Sequence, residues 1–247
     1  MFDGKINITS FKKMGYLNPN LGNTFRNYFN LRRSTLLIIL IHSVGVLGIL
    51  SPLQSIVLPL TPFSILISFL LFINHYSELK KRMVGFIIFV ILLGFLIEFF
   101  GVKTGFPFGD YTYGKTLGLS LWNIPLIIGI NWAMLVLGFC NVLSGLKMNN
   151  FVKSFLGASL MVGIDFLIEP VAIQCDFWGW AGDEIPIENY LGWFFVSFLF
   201  FAIYYYKIRS PKNQLGIVLI AVQVSFFLLL NIALIVSHLT NMEFSGL

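Results

Sequence analysis

Three carboxylates lie inside apolar runs of this chain, and their spacing is the first pointer to chemistry. Asp165 and Glu169, in DFLIEP, are four residues apart, so on a helix they share one face about one turn from each other. Two carboxyls that close in a low-dielectric site do not readily both ionise, so one is expected to hold a proton near neutral pH. A protonated acid beside an ionised one is the equipment of acid–base catalysis. Glu98 opens EFFGVKTGFPFGDYTY (98–113) in the outer turn of another apolar run, where it can reach the same pocket. Asp110, in the loop that follows, is a fourth candidate, for orienting or deprotonating water. Pro170 directly follows Glu169. It is expected to kink or end the helix and free backbone carbonyls beside the acids. Charge inside a membrane span is costly, so acids placed there are read as functional. The structural alternative is that they pair with Lys103 or bond to Asn123, Asn131 or Trp indoles.

Aromatic residues gather around the same stretches. Trp122, Trp132, Trp178, Trp180 and Trp193, with Tyr111 and Tyr113, fall at span ends or in the loops beyond them. An interfacial aromatic belt accounts for part of this. The functional reading is a pocket whose ring faces stabilise a cation away from water. Phe106, Phe108 and Phe177, with neighbouring glycines, are expected to shape a greasy tunnel open to lipid. His42, mid-span, reads as a core histidine before a pocket member. The run KTGFPFGDYTYG lacks the GxxxxGK[ST] order of a nucleotide loop. No nucleophile elbow, zinc spacing, haem motif or flavin motif is present, so neither a metal nor a cofactor is signalled.

These residues must be held by elements that suit the composition. Of 247 residues, 57% are hydrophobic and only 11% charged, about half the charge of a soluble domain. The expected fold is all-α, a polytopic transmembrane helix bundle of about seven spans. The apolar runs cover about 34–50, 55–74, 83–101, 121–143, 151–170, 190–206 and 215–238. Pro59 and Pro62 mark a kink or a late start in the second. Residues 1–33 read as a polar basic tail with an interfacial helix near 24–31, residues 34–240 as one membrane domain, and residues 241–247 as a short C-terminal tail.

Loop charge sets the orientation. The tail and the loops at 75–82, 145–153 and 207–214 hold 14 of the 16 Lys and Arg; only Lys103 and Lys115 lie on the other side. The positive-inside rule then places the N-terminus in the cytoplasm and the C-terminus outside, with the acids in the outer half. The net charge of +5 therefore orients the chain and implies no nucleic-acid partner. Cys140 and Cys175 fall near opposite faces, too far apart for a disulfide, and are expected to be free thiols.

The motifs TGFPFGDYTYG, NIPLIIGINW (123–132) and D-x-x-x-E-P…DFWGW…NYLGW (165–193) resemble the carotenoid biosynthesis hydratase family. That family includes γ-carotene 1′-hydratases and bisanhydrobacterioruberin hydratases. The resemblance runs from about residue 35 to 240 and implies a hydro-lyase of the plasma or inner membrane that needs no cofactor. Its substrate would be an acyclic carotenoid end of γ-carotene or lycopene type, taken from the bilayer, with water as co-substrate and other carotenoid-pathway membrane enzymes as partners. The chemistry would be protonation of C2, a tertiary cation at C1 and capture by water. Such a reaction needs an acid, a base and aromatic faces. Asp165 or Glu169 would supply the proton and Asp110 or Glu98 would handle water. Tyr111, Tyr113, Phe106, Phe108, Trp122, Asn131, Trp132, Trp178 and Trp180 would line the end-group site. A lycopene-type cyclase makes the same cation and is the first rival. A polyprenyl transferase would need a second acidic motif and Lys or Arg for the phosphates on the cytoplasmic side, whereas here the acids are outer and most of the basic residues inner. A proton-coupled transporter or a carotenoid-binding protein is the rival from outside enzymology.

Overall fold

The computed structural model describes residues 29–76, 79–209 and 212–244, with 238–244 described by backbone alone. The N-terminal tail up to residue 28, the greater part of the proposed interfacial helix and residues 245–247 lie outside the described residues. Seven apolar helices run through the rest: α1 Leu31–Ile49, α2 Gln54–Asn74, α3 Lys81–Thr104, α4 Ile127–Leu143, α5 Asn150–Gln174, α6 Ile187–Ile208 and α7 Gln214–Phe244. All but α4 are long and apolar enough to cross a membrane. Their outward faces carry large exposed apolar side chains, among them Leu40, Phe63, Leu92, Phe166, Phe195 and Ile232. The protein is a multi-pass membrane protein.

Local sequence explains the boundaries. Asn30 and Asn149 cap α1 and α5 by accepting from the backbone N–H of Arg33 and Val152. The α3 helix stops at Gly105, whose φ of 74° closes it with a left-handed cap. Pro59 and Pro62 do not break α2; they are accommodated in a 3-10 turn at Leu58–Leu60 and in the first turn that follows.

Two boundaries differ from the sequence expectation. The fourth span begins at Ile127 rather than near residue 121. Ser120–Leu121 (β2) and Ile124–Pro125 (β3) pair there as a tight hairpin, with Trp122 and Asn123 at positive φ. The fifth helix continues through Pro170 to Gln174. The carbonyl that Pro170 leaves without its helical N–H is that of Phe166, four residues back, whose side chain is exposed on the outer wall of the bundle.

The α4 helix is the axis of the bundle. Fourteen of its 17 residues are buried, and α2, α3, α5, α6 and α7 all pack on it. At about 1.5 Å per residue it is shorter than the bilayer core, which is tolerable for a helix surrounded by protein. Lys80, Lys81, Arg82, Lys147, Lys153, Lys207, Arg209 and Lys212 mark one end of the bundle, the basic end. At the opposite, acidic end the α3–α4 loop meets the α5–α6 loop. Tyr111–Tyr113 (β1) pairs antiparallel with Trp178–Trp180 (β4), with Tyr111 opposite Trp180 and Tyr113 opposite Trp178.

Candidate active site

The alternation of a strand puts residues i and i+2 on one face. In β1 and β4 that face carries Tyr111, Tyr113, Trp178 and Trp180, turned toward the bundle, while Thr112 and Gly179 are exposed. Backbone bonds from Gly114 N–H to Phe177 O and from Ala181 N–H to Asp110 O extend the pairing at both ends. Gly114 is required here, since a Cβ would lie 2.2 Å from the Asp176 carbonyl oxygen.

This small sheet delivers donors to two carboxyls on different helices. On α3, Glu98 accepts from the hydroxyls of Tyr111 (2.5 Å) and Tyr113 (2.6 Å) at Oε2, and from the Trp132 indole (2.8 Å) at Oε1. On α5, Glu169 accepts from the Trp178 and Trp180 indoles at Oε2 (3.1 and 2.8 Å) and from Asn189 at Oε1 (3.1 Å). The Asn189 amide, one turn into α6, also donates to Asp165 Oδ2 at 2.7 Å. The other Asp165 oxygen, Oδ1, is buried without a partner. Gly101 leaves room for this arrangement, because a Cβ there would stand 2.7 Å from the Tyr111 hydroxyl.

All three acids are buried, Asp165 completely. Among the described residues none of them forms an ion pair with Lys or Arg, and Lys103 lies exposed near the end of α3. Neutral hydroxyl, indole and amide groups therefore supply the whole polar environment. Burial and the adjacent Glu98 carboxyl push the Tyr111 and Tyr113 phenols well above their usual range, so both remain hydrogen-bond donors throughout physiological pH.

Between Glu98 and Glu169 lies a cavity of about 30 Å³, lined also by Phe108, Tyr111, Tyr113, Asn131, Trp132, Trp178, Trp180 and Trp193. That volume suits one or two waters. Trp193 stacks on Trp132 with ring centroids 4.3 Å apart, and Tyr111 lies against Trp180 at 5.2 Å. Ile128, Asn131, Ile168 and Trp178 also line a second space, an apolar groove of about 480 Å³ between α1, α2, α4, α5 and α7. Leu40, Val44, Leu60, Phe63 and Ile67 on its wall are exposed toward lipid.

The other residues singled out from sequence are placed as follows. Asp165 stands behind the cavity, joined to it through Asn189. Asp110 is exposed and does not line the cavity. Phe106 and Trp122 are 77% and 57% exposed; Phe106 borders a different groove, between α3 and α6. Phe177 lines the large groove at its junction with the site. Asn189 was not singled out from the sequence. Its signal was a lone amide opening an otherwise apolar helix, within the NYLGW motif. Cys140 and Cys175 are free and buried. No group of three or more His, Cys, Asp or Glu among the described residues is arranged to hold a metal ion.

Fold and site together define an integral membrane protein with three buried carboxyls beside an apolar groove. A family model described as carotenoid biosynthesis protein matches residues 60–245, and the chain belongs to that family. It is also 28% identical over 110 residues to the bisanhydrobacterioruberin hydratase of Haloarcula japonica. That match covers 41% of this chain and 38% of the relative's length. No solved structure matches the chain.

Proposed function

We propose that the protein is a carotenoid-modifying enzyme that adds water across the terminal C1=C2 double bond of an acyclic carotenoid end. The observation that carries this reading is the shared wall of two spaces: a water-sized cavity between Glu98 and Glu169, and an apolar groove that meets it at Asn131 and Trp178. The hydratase name of the relative agrees with it.

In the proposed reaction Glu169 carries the proton and Glu98 is the carboxylate. The two short hydroxyl bonds to Glu98 suit a charged acceptor, whereas Glu169 has longer bonds and shares Asn189 with the Asp165 carboxyl. Glu169 protonates C2, and the electron pair of the double bond forms the new C–H bond, leaving a tertiary cation at C1. The ring faces of Trp178, Trp180 and Tyr113 stabilise that cation. Water held between Asn131 and Glu98 then attacks C1 and gives its proton to Glu98. Return of a proton to Glu169 restores the site, so the net change is one water added. Aromatic walls keep other nucleophiles out, and the size of the cavity sets the size of the nucleophile.

The distribution of basic residues supports, by the positive-inside rule, an orientation with the N-terminus in the cytoplasm and the acid site in the outer half of the membrane. A periplasm-active reporter joined after residue 247 should be active; inactivity there would reverse the orientation. The reaction itself is tested by expression in a bacterium that accumulates lycopene or γ-carotene. The expected pigment is heavier by one water and absent with Glu169→Gln. A product of unchanged mass with a new ring would replace hydration by cyclisation, and pigment retained unchanged would point to a binding protein.

A further inference from the structure

The proposed reaction employs Glu98 and Glu169 and leaves the third buried acid without a task. Asp165 is fully buried on α5, one turn before Glu169, and does not line the cavity. Its Oδ2 accepts from Asn189 at 2.7 Å, while Oδ1 is buried with no partner. The titratable groups around it are Glu169 on its own helix, Glu98 on α3 and Tyr190 on α6. All of these are acids or phenols, and none brings a positive charge. A carboxylate at this position would add negative charge, with one oxygen bare, in an interior that offers no compensation. The neutral acid avoids this, with its hydroxyl at Oδ1 and its carbonyl oxygen, Oδ2, as the acceptor for Asn189.

Asn189 shows what that carbonyl does. One amide nitrogen donates to both acids, to Asp165 Oδ2 and, at 3.1 Å, to Glu169 Oε1. An amide nitrogen carries two hydrogens, so each acid takes one. The bond to Asp165 therefore fixes the rotation of the amide and aims its second hydrogen at Glu169. The backbone keeps the side chain in register, since the Asn189 N–H bonds to the Pro186 carbonyl where α6 begins. A Cβ on Gly192 would lie 2.8 Å from the Pro107 carbonyl oxygen, and one on Gly157 2.8 Å from the Phe201 ring. The α6 helix is thus seated closely on both the α3–α4 loop and α5. With the Trp178 and Trp180 indoles at Oε2, the Asn189 amide gives Glu169 three donors. Glu98 also has three. In the proposed reaction each glutamate carries charge at a different stage, Glu98 before water attacks and Glu169 once its proton has left.

We infer that Asp165 and Asn189 are positioning residues: Asp165 is a neutral anchor that aims the Asn189 amide at the Glu169 carboxyl, where charge develops as the proton departs. This rests on the proposed function, because it takes Glu169 to be the proton donor. Asp165 itself gives no proton to the substrate. A donor already in place when the charge forms lowers the barrier without any reorganisation at that moment. Two acids one turn apart divide the work. One reacts, and the other holds the amide that serves it.

The test combines turnover with infrared spectroscopy of the full chain in lipid nanodiscs. Supplied with lycopene or γ-carotene, Asn189→Leu and Asp165→Leu should form hydrated product about ten- to a hundredfold more slowly at saturating pigment, as loss of a hydrogen bond to a charged group allows. The half-saturating pigment concentration should not change. Asp165→Asn keeps a carbonyl acceptor of the same shape and should recover most of the rate lost in Asp165→Leu. Because the two Leu variants alter different helices, a folding defect in one leaves the other to report. Infrared spectra near neutral pH should contain a protonated-acid carbonyl band that disappears in Asp165→Asn. A second such band, lost in Glu169→Gln, should shift in Asn189→Leu, which reports the amide bond itself rather than folding. Asp165→Asn as inactive as Glu169→Gln would overturn the anchor and make Asp165 a proton carrier. An unchanged acid band in Asp165→Asn would overturn its neutral state, and a native rate in Asn189→Leu would overturn the aimed amide. In each of these cases hydration by the native protein leaves the proposed function standing. Native protein that yields no hydrated product would remove the proposed function, and the roles of Asp165 and Asn189 with it.

Discussion

At the basic end of the bundle Asn141 donates to the Tyr76 hydroxyl at 2.8 Å and to the Leu137 carbonyl at 2.7 Å. Its oxygen accepts from the Asn213 backbone N–H, while the Asn213 amide reaches the Phe72 carbonyl and its oxygen the Leu215 N–H. Every group in this network is neutral, and the two amides have partners for both their oxygen and their nitrogen. The network ties α2, α4 and the start of α7 together. At the acidic end Glu98, Asp165 and Glu169 are also buried, but they are acids without a cation, they surround a cavity, and one oxygen of Asp165 is left unbonded. Both ends solve the problem of polar groups in a low-dielectric interior. Of the two networks, the acidic one surrounds a cavity. A satisfied neutral network fastens helices, whereas carboxyls arranged around water-sized space are suited to hold and release protons.

Substitutions that exchange one kind of network for the other sharpen this contrast. The largest expected effect is from Glu98→Gln or Glu169→Gln, which should lower hydration per pigment-binding molecule about 10²–10⁴-fold, the usual contribution of a general acid or base. Product quantified by chromatography and mass spectrometry checks this; a loss of less than tenfold in both variants would remove the acids from the mechanism. Next comes Tyr113→Phe, which removes one of three donors to Glu98 but keeps the ring at the cation site. Turnover should fall about tenfold, at the lower end of what a hydrogen bond to a charged group contributes. An unchanged rate would mean that Glu98 is not held as a carboxylate by that hydroxyl.

The smallest effect on chemistry belongs to the other end. Asn141→Leu strands the Tyr76 hydroxyl and the Asn213 N–H, costing about 1–3 kcal/mol for each group left unsatisfied. Thermal unfolding in detergent should shift down by several degrees, while product formed per folded molecule stays at the native level. A variant that keeps its unfolding temperature but loses turnover would break the division between a fastening end and a working end.

Much of the outline was legible in the chain. Apolar runs of sufficient length gave seven helices, because a segment in hydrocarbon must satisfy its own backbone. The four-residue spacing of Asp165 and Glu169 gave their common face, and EFFGVKTGFPFGDYTY marked where Glu98 would lie. The alternation in YTY and WGW was also present in the sequence. Read as loop aromatics, these residues yielded neither the β1–β4 pairing nor the division of donors between the two glutamates. Strand pairing over 60-odd residues depends on where two loops come to rest, and no local pattern contains that information.

What the sequence determined by itself is therefore the material: a helical membrane bundle, three acids at one depth, and aromatics beside them. The fold decided which acid faces what. It set Asp110 outside and Asp165 behind Asn189, and it turned Glu98 and Glu169 toward one small cavity. It also carried Phe106 and Trp122 to the surface. The physical reason is that helical periodicity fixes which residues share a face, whereas the direction of that face follows from the packing of every helix around α4. The proposed chemistry needs groups from α3, α4, α5, α6 and two loops within hydrogen-bond reach, and only that packing brings them there.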